Sequence, residues 1–339
     1  MEIKQEKLNV FTMKINILAI EKYLPGNRIS SETLDKIVNG VKGRIEKNTG
    51  VKYRHHVANN ESVADMGTQV LKKALEQCSL TTSDIDLLIF CGASFDYPVP
   101  HTSVLIKKQL TKKDDFPCFD INSTCLSFLN ALDVAHLYLQ SKKYKRIAIV
   151  CSEIASKALT PTDEKVFGLF GDAAVALIIE ADDQKGYNPI FSHFKNDPTG
   201  ALYAYVPIGG AINRGQNSSP NDPGYYFKMN GKSMIKLVET HIDGFVKSIE
   251  EETNYSINDF DYIITHQASK YGGAMFKKRF NPKEDSMIET LYEYGNCISA
   301  SIPLGLEKLI NEKNAKSPLK VLLIGTGAGL SFGAIVLNF

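Results

Sequence analysis

The sequence lacks the features that mark several specialised classes of protein. Its 339 residues include no tryptophan, and no two of its six cysteines have the CxxC spacing of a zinc or redox site. No apolar run reaches the length of a membrane span, and the N-terminal MEIKQEKLNVFTMKINILAI mixes charges with apolar residues, unlike a signal peptide. The net charge of +1 gives no general attraction to nucleic acid or to a membrane surface. We therefore expect a cytoplasmic protein whose cysteines are free thiols.

The hydrophobic pattern predicts alternating buried strands and amphipathic helices, which is typical of α/β folds. In the first half we expect helices from about Glu32 to Val41 after a Ser31 cap, from about Ser62 to Cys78 and near His101 to Leu110. Segment 48–54 is predicted to be a loop that ends in a short strand. Buried strands are predicted at KINILAI, IDLLIFCGAS, KRIAIVCSE and FGDAAVALIIE.

Between Asp182 and Gly224 the residues Gly, Pro, Asn and Ser dominate, which indicates a loop-rich boundary between two halves. A helix from about Ser233 to Glu252 follows. Further strands are predicted at FDYIITHQAS, LKVLLIGTGAG and SFGAIVLNF.

The two halves resemble each other. IDLLIFCGAS (85–94) aligns with FDYIITHQAS (260–269), and FGDAAVALII (170–179) resembles FGAIVLNF (332–339). An internal repeat predicts two α/β halves, 1–183 and 184–339, packed as a layered sandwich. Pseudo-twofold symmetry would bring equivalent strand ends together, so that Cys125, His266 and Asn296 would lie near one crevice.

Cys125 is the candidate nucleophile. A short predicted strand runs into small polar residues, and Ser123 and Thr124 are good N-cap types for a helix that starts near Cys125. The free N–H groups and the dipole of a helix start favour a thiolate, so we expect the pKa of this thiol to be lowered. The competing interpretation is an inert buried cysteine, since free cysteines are usually small core residues and a reactive thiol needs a partner base.

Two further positions could provide that partner. His266 ends a predicted strand, where ligands meet α/β sheets, and Asn296 lies in Tyr294-Gly295-Asn296-Cys297. Taken singly, these residues are equally compatible with a surface histidine and a turn asparagine. Cys297 is a rival nucleophile, but it has no basic neighbour in the sequence.

The glycine-rich tip 325–329, GTGAG, is not followed by the helix and acidic residue of a dinucleotide-binding motif. It could instead bring backbone N–H groups to an oxyanion.

Together, the motifs TCLSFLNAL, FGDAA, HQAS, YGNCISASIPLGL and GTGAGLSFGA resemble the thiolase superfamily, and within it the β-ketoacyl-acyl-carrier-protein synthase III group. NTGVKYRHHVA, ESVADMG and YYFKMNGKSM are similar to other motifs of that group. The resemblance implies a five-layered αβαβα fold in a homodimer. It implies Cys125 as the acyl-accepting nucleophile, with His266 and Asn296 completing the site. It also implies an oxyanion hole formed by the backbone of Cys125 and of Gly327, Ala328 or Gly329.

The implied reaction has two halves and needs neither a metal nor a redox cofactor. Cys125 takes an acyl group from an acyl-carrier-protein or acyl-coenzyme A thioester. His266 and Asn296 then hold a malonyl-type thioester while it loses CO₂, and the enolate attacks the acyl-cysteine to give a β-ketoacyl thioester. Specialised lipid or polyketide biosynthesis is one setting for such an enzyme.

Other interpretations remain open. The enzyme could condense two acyl or β-ketoacyl thioesters, as in olefin or dialkylresorcinol synthesis, with Asp96 or His101 as a base. It could transfer an acyl group to an oxygen or nitrogen nucleophile. A catalytically silent partner subunit is a further alternative, against which the intact Cys125, His266 and Asn296 argue.

Several residues depart from the family's pattern. Leu126 follows the cysteine where a small residue is usual, and Ser269 replaces the last residue of HQAN. In Tyr97-Pro98-Val99-Pro100, Val99 stands where a bulky aromatic often reaches across the dimer, which predicts room for a longer acyl chain.

The adenine clamp of coenzyme-A-loading members is also altered. Its Trp and two Arg positions correspond to Arg44, Asn48 and Glu164, and a carboxylate would repel the nucleotide's phosphates. We therefore predict loading from acyl-carrier protein in preference to acyl-coenzyme A. A basic rim could receive the acidic carrier, or it could simply be a solvated helix face; it consists of Lys270, Lys277, Lys278 and Arg279.

Overall fold

A computed structural model of the chain describes residues 14–182, 188–313 and 319–338. The strands in these ranges are β1 (Lys14–Tyr23), β2 (Asn27–Ser30), β3 (Tyr53–His56), β4 (Leu87–Cys91), β5 (Cys118–Ile121), β6 (Arg146–Glu153), β7 (Ala173–Asp182), β8 (Asn188–Asn196), β9 (Ala204–Tyr205), β10 (Lys228–Met229), β11 (Tyr262–Thr265), β12 (Met287–Ile288), β13 (Lys320–Gly327) and β14 (Ser331–Asn338). The α-helices are α1 (Ser31–Ile37), α2 (Arg44–Thr49), α3 (Val63–Gln77), α4 (Thr102–Leu110), α5 (Ser127–Gln140), α6 (Glu164–Phe167), α7 (Gly231–Thr253), α8 (Lys270–Phe280), α9 (Leu291–Tyr294) and α10 (Ser301–Glu307).

Ten strands form two mixed sheets with the same topology. The first sheet has the order β1-β7-β6-β4-β5, and the second has the order β8-β14-β13-β11-β12. In each sheet the last three strands are parallel to one another and the first two pairings are antiparallel. Matching strands also occur in the same order along the chain, so the repeat seen in the sequence is present in the fold. The predicted boundary between residues 183 and 184 lies outside the described residues.

Three of the four hydrophobic cores in the described residues lie between successive layers of a five-layered arrangement. The central core lies between the two sheets and contains α5 and α10. Helices α3 and α4 cover the outer face of the first sheet, and α7 and α8 cover the outer face of the second. Strand β4 shows why such strands appear in the sequence as unbroken apolar runs: Leu87 and Ile89 enter the central core, whereas Leu88 and Phe90 enter an outer one.

Three predictions are wrong in detail. Ser30, not Ser31, caps α1, since its hydroxyl accepts the Thr33 N–H at 3.1 Å. Asn48 and Thr49 are the end of α2 and not part of the predicted loop; the Asp35 carboxylate accepts N–H groups at the start of this helix, and the predicted short strand follows as β3. The region 182–224 contains the nine-residue strand β8, which pairs with β14 at the edge of the second sheet.

None of the helices within the described ranges is both long and apolar enough to cross a membrane.

Candidate active site

Two equivalent turns, one in each half, lie at the centre of the site. The 3₁₀ turn Thr124–Leu126 precedes α5, and the 3₁₀ turn Ile298–Ala300 precedes α10. Thr124 and Ile298 both have a left-handed backbone, with φ of 52° and 50°. In each turn the asparagine two residues earlier, Asn122 or Asn296, accepts the N–H of this residue, at 3.0 and 2.9 Å. The side chains of Ser123 and Thr124 therefore do not cap the helix as predicted; Asn122 provides the local bond.

Cys125 lies in the first of these turns, two residues before α5 begins. The backbone N–H of Ala328, in the loop between β13 and β14, lies near its sulfur and acts to lower the pKa of the thiol. This close approach requires glycine at the preceding position, because a Cβ on Gly327 would lie 2.9 Å from Thr124 Oγ1. Leu126, the bulky residue after the cysteine, is buried against Gly325 and Gly333 and does not line the cavity.

The expected lowering of the Cys125 pKa is wrong. Burial and, to a smaller extent, the negative charge of Glu153 raise the pKa of this thiol to about 12, while the backbone N–H groups of Ala328 and Cys125 act in the opposite direction. The thiol is therefore protonated at neutral pH.

His266 directly follows β11, and its backbone N–H donates to Ile324 O at 2.8 Å. Gly325 lets the imidazole lie against β13, since a Cβ there would be 2.8 Å from the His266 Cβ. Burial lowers the pKa of this histidine to about 4, so the ring is neutral at physiological pH. Within the described residues Nδ1 has no hydrogen-bond partner, so no protein group shown there fixes the tautomer.

Asn296 is held from both halves of the molecule. Its backbone N–H donates to Leu169 O at 2.9 Å, and its carbonyl accepts the Gly171 N–H at 3.1 Å. Its side-chain Oδ1 accepts the Ile298 N–H, which orients the amide, and Nδ2 donates to Ala268 O at 3.3 Å. One Nδ2 hydrogen is left for a substrate oxygen.

One cavity brings the three predicted residues together. Its volume is about 560 Å³, and Cys125, His266 and Asn296 all line it. Gly327 and Ala328 also line it, whereas Gly329 does not. The remaining walls are largely apolar, formed by side chains that include Val63, Phe95, Ile154, Leu159, Phe170, Phe227, Met229 and Met234. An apolar cavity with a few convergent polar groups is suited to an acyl thioester.

Glu153 was not predicted as part of the site. This fully buried carboxyl group ends β6 and accepts the N–H groups of Ala93 and Ser94 at 2.8 and 3.0 Å, and it also accepts the hydroxyl of Ser299. Burial raises its pKa. The internal repeat could have drawn attention to Glu153. When KRIAIVCSE is aligned with LKVLLIGTG, Glu153 takes the position of Gly327, the residue before Ala328.

The rival nucleophile Cys297 lies in the central core. It is 0% exposed, its thiol donates to Tyr294 O, and burial raises its pKa well above the ordinary value. It does not line the cavity.

The loop predicted to shape the acyl pocket is exposed. Tyr97 and Val99 are 59% and 84% exposed, and neither lines the cavity. Asp96 does line it, but its two carboxylate oxygens accept the first N–H groups of α3 at 2.8 and 2.9 Å. His101 contacts Ser103 and Asp120 outside the cavity.

The predicted basic rim lies on α8, and part of its charge is neutralised within the molecule. Lys277 pairs with Glu289 at 2.9 Å, and Arg279 pairs with Asp243. Lys270 packs its aliphatic chain over Gly50, and Lys278 is exposed.

Two of the three altered clamp residues contact each other. Arg44 Nη2 on α2 lies 2.9 Å from Glu164 Oε2 on α6, so an ion pair joins two positions that correspond to the family's adenine clamp.

Comparisons with known proteins find similar chains over most of the sequence. The chain matches 3-oxoacyl-[acyl-carrier-protein (ACP)] synthase III over residues 119–198 and the C-terminal part of that family over residues 251–339. It is 31% identical to a β-ketoacyl-[acyl-carrier-protein] synthase III from Neisseria gonorrhoeae over 318 residues, 94% of this chain and 97% of that one.

Solved structures are similar over nearly the whole chain. A 3-oxoacyl-[acyl-carrier-protein] synthase III from Aquifex aeolicus has a TM-score of 0.85 and 25% identity, with 96% of this chain and 100% of that chain covered. OleA from Xanthomonas campestris, at 18% identity and a TM-score of 0.84, covers 97% of this chain and 99% of its own, and shares the fold. The chain therefore belongs to the β-ketoacyl-[acyl-carrier-protein] synthase III family, condensing enzymes with a thiolase-like fold.

Proposed function

We propose that Cys125 is acylated by an acyl thioester and that the acyl group is then extended by decarboxylative condensation with a malonyl-type thioester. The observation that carries this proposal is the single cavity in which Cys125, His266, Asn296 and the Ala328 N–H converge. Thiol, imidazole, amide and backbone groups suffice for both steps, so we infer that no metal or redox cofactor takes part.

In the loading step, the Cys125 sulfur attacks the thioester carbon and the thiol of the donor leaves. The proton lost by Cys125 balances the proton gained by the leaving thiolate. His266 lines the same cavity as a neutral imidazole and is the group that can carry this proton. The N–H groups of Cys125 and Ala328 stabilise the oxyanion, each contributing a few kcal/mol.

In the condensation step, the thioester oxygen of the extender accepts hydrogen bonds from Asn296 Nδ2 and His266 Nε2. The bond to the carboxylate breaks, CO₂ leaves, and the electron pair forms the enolate. The enolate carbon attacks the acyl-cysteine, and the Cys125 thiolate is released. The bond from Ile298 N–H to Asn296 Oδ1 supports this role, because it turns the amide so that Nδ2 can donate.

The acyl donor is proposed to be acyl-carrier protein. The relatives' names refer to this carrier, and the Arg44–Glu164 ion pair occupies the position where an adenine clamp would be needed. Lys270 and Lys278 remain as exposed cations on α8 for an acidic carrier to contact.

We also infer a cytoplasmic homodimer. Phe95, Tyr97 and Val99 expose apolar side chains in one loop, and a second subunit would cover them. Strand β5 is an edge strand and offers unpaired backbone groups for pairing. The six free cysteines suit a reducing compartment.

Condensation of two acyl chains without decarboxylation is less well supported. That reaction needs a base near the second substrate, and neither candidate is suited to this role. Asp96 already accepts the first N–H groups of α3, and His101 lies outside the cavity.

Intact-mass spectrometry tests the proposed function. The protein is incubated with a panel of acyl thioesters of increasing length on carrier protein or coenzyme A, and then with a malonyl thioester. We expect an acyl adduct on Cys125 that disappears when malonyl thioester is added, with a β-ketoacyl product formed. An enzyme that loads but extends only in the presence of a second, non-malonyl acyl thioester would contradict the decarboxylative step.

A further inference from the structure

Residues 328–330, which connect β13 and β14 and are here called the oxyanion loop, are hydrogen-bonded to a segment outside the cavity. Ala328 lies in the short connection between β13 and β14, where Gly327 pairs with Ser331. Leu330, the residue before Ser331, forms two backbone hydrogen bonds with Asp197. Its N–H donates to Asp197 O at 3.0 Å, and its carbonyl accepts the Asp197 N–H at 2.8 Å. These bonds extend the β8–β14 ladder by one residue beyond the Ser331–Asn196 pair.

Asp197 is itself held by its side chain. One carboxylate oxygen accepts the N–H and the hydroxyl of Thr199 at 2.9 and 2.6 Å, which stabilises the turn that leaves β8. The other oxygen lies 2.6 Å from His241 Nε2 on α7. Because a carboxylate only accepts hydrogen bonds, Nε2 carries the proton in this pair.

The surroundings leave this arrangement little freedom to shift. Leu330 is buried, and a Cβ on Gly200 would lie 3.0 Å from both the backbone N and the Cβ of Leu330. The His241 ring lies edge-on against Phe332 of β14, with 6.0 Å between ring centroids. His241 of α7 therefore contacts Phe332 of β14 directly, and it is linked to Leu330 of the oxyanion loop through Asp197.

We propose that His241 and Asp197 form a positioning pair that sets the place of the oxyanion loop, and hence of the Ala328 N–H, relative to the Cys125 sulfur. Neither side chain is among those that line the cavity. Their effect is transmitted from the imidazole to the carboxylate, through the Asp197–Leu330 backbone bonds, to the next peptides of the loop. The role assigned to this pair rests on the proposed loading of Cys125.

The test compares two reactions of the same sulfur. Acylation by an acyl thioester passes through an oxyanion that the loop must stabilise, whereas alkylation by iodoacetamide forms no oxyanion. His241→Ala should lower the maximal rate of acyl loading about tenfold, part of the effect of losing an oxyanion donor. Its half-saturating thioester concentration should stay within about twofold of wild type, because it does not depend mainly on an oxyanion donor. Its alkylation rate should fall less than its loading rate, because alkylation loses only the effect of the Ala328 N–H on the thiolate and forms no oxyanion.

Two further variants sharpen the result. His241→Gln keeps an N–H donor at similar reach and should restore most of the loading rate. Asp243→Asn, on the same helix, removes the ion pair with Arg279 without touching the loop and should load normally. If His241→Ala falls below a usable melting temperature, Asp197→Asn replaces it, because it weakens the same pair while keeping one acceptor oxygen for the turn.

Several outcomes would overturn the proposal. These are normal loading in both His241→Ala and Asp197→Asn, an equal loss of alkylation and acylation, or no recovery in His241→Gln. Failure of the wild-type enzyme to load any acyl thioester on Cys125 would instead contradict the proposed function. The two failures can therefore be distinguished.

Discussion

Ser299 occupies in the second half of the fold the position that Cys125 occupies in the first. Each follows a residue with left-handed backbone, and each is the middle residue of a 3₁₀ turn that leads into a helix of the central layer. Cys125 faces the cavity, whereas the Ser299 hydroxyl donates to the buried Glu153. One of the two equivalent turns thus carries the candidate nucleophile, and the other is preceded by Asn296, which lines the same cavity.

Cys125→Ala should abolish formation of the acyl-enzyme, whereas Cys297→Ala should leave it unchanged. Only Cys125 lines the cavity, and Cys297 is enclosed in the central core. Intact-mass measurement after incubation with an acyl thioester provides the readout, and Cys297→Ala is the matched control. An adduct that persists in Cys125→Ala and vanishes in Cys297→Ala would refute the assignment.

Asn296→Asp should load Cys125 with an acyl group but lose most of the condensation, by about a hundredfold or more, as for an oxyanion-type donor. The aspartate keeps an acceptor for the Ile298 N–H and so preserves the turn, while it removes the Nδ2 donor. Loading is followed by mass and condensation by β-ketoacyl product. Turnover near the wild-type level with a malonyl thioester would contradict the role given to this amide.

Alkylation of Cys125 by iodoacetamide should keep rising with pH well beyond the range of an ordinary cysteine. A thiol whose pKa is raised to about 12 gains thiolate about tenfold per pH unit up to roughly pH 11, whereas an unperturbed cysteine levels off near about 8.5. Peptide mapping of the labelled site, with Cys125→Ala as background, measures this profile. A plateau below pH 8 would show that the thiolate is stabilised in solution.

His266 should make the folded protein less stable as the pH falls from about 6.5 toward 4. Its folded pKa of about 4 lies below the ordinary value of 6.5, so the unfolded chain takes up the proton first. The contribution of the neutral His266 ring to the free energy of unfolding is complete above about pH 6.5 and is lost as the pH falls through the folded pKa. Denaturant titrations at pH 7 and pH 5 should show a larger loss of unfolding free energy in wild type than in His266→Gln. Equal losses would argue against a buried neutral imidazole.

Loading from acyl-carrier protein should exceed loading from acyl-coenzyme A by about tenfold or more in kcat/KM with the same acyl chain, a difference of about 1.4 kcal/mol. Arg44→Trp combined with Glu164→Arg should narrow this difference, because it replaces the ion pair with an aromatic–guanidinium sandwich for adenine. Arg44→Ala with Glu164→Ala breaks the ion pair without building a clamp and serves as control. Equal loading from both donors in wild type would mean that adenine binds in another way.

The sequence predicted the position of a site residue correctly where that position depends on a single strand. The β4 and β11 strands are buried on both faces, so their apolar runs and polar tips could be aligned, and this placed His266 near Cys125. The pKa of Cys125 could not be predicted in this way, because it depends on burial by distant segments and on Glu153, which reaches it only through the fold. The capping role of Asp96 was missed for the same reason, since the N–H groups it accepts lie more than thirty residues earlier. Strand β8 was missed because a proline and several polar residues obscure an edge strand.

The backbone of Asn296 is hydrogen-bonded to Leu169 and Gly171, so the candidate active site also lies at the junction of the two halves of the fold. A Cβ on Gly171 would lie 2.2 Å from Tyr294 O, which shows how closely the halves approach each other there. We therefore expect the turnover rate to depend on how closely the two halves pack. A substitution that separates them slightly should lower this rate while the sheets and helices stay folded.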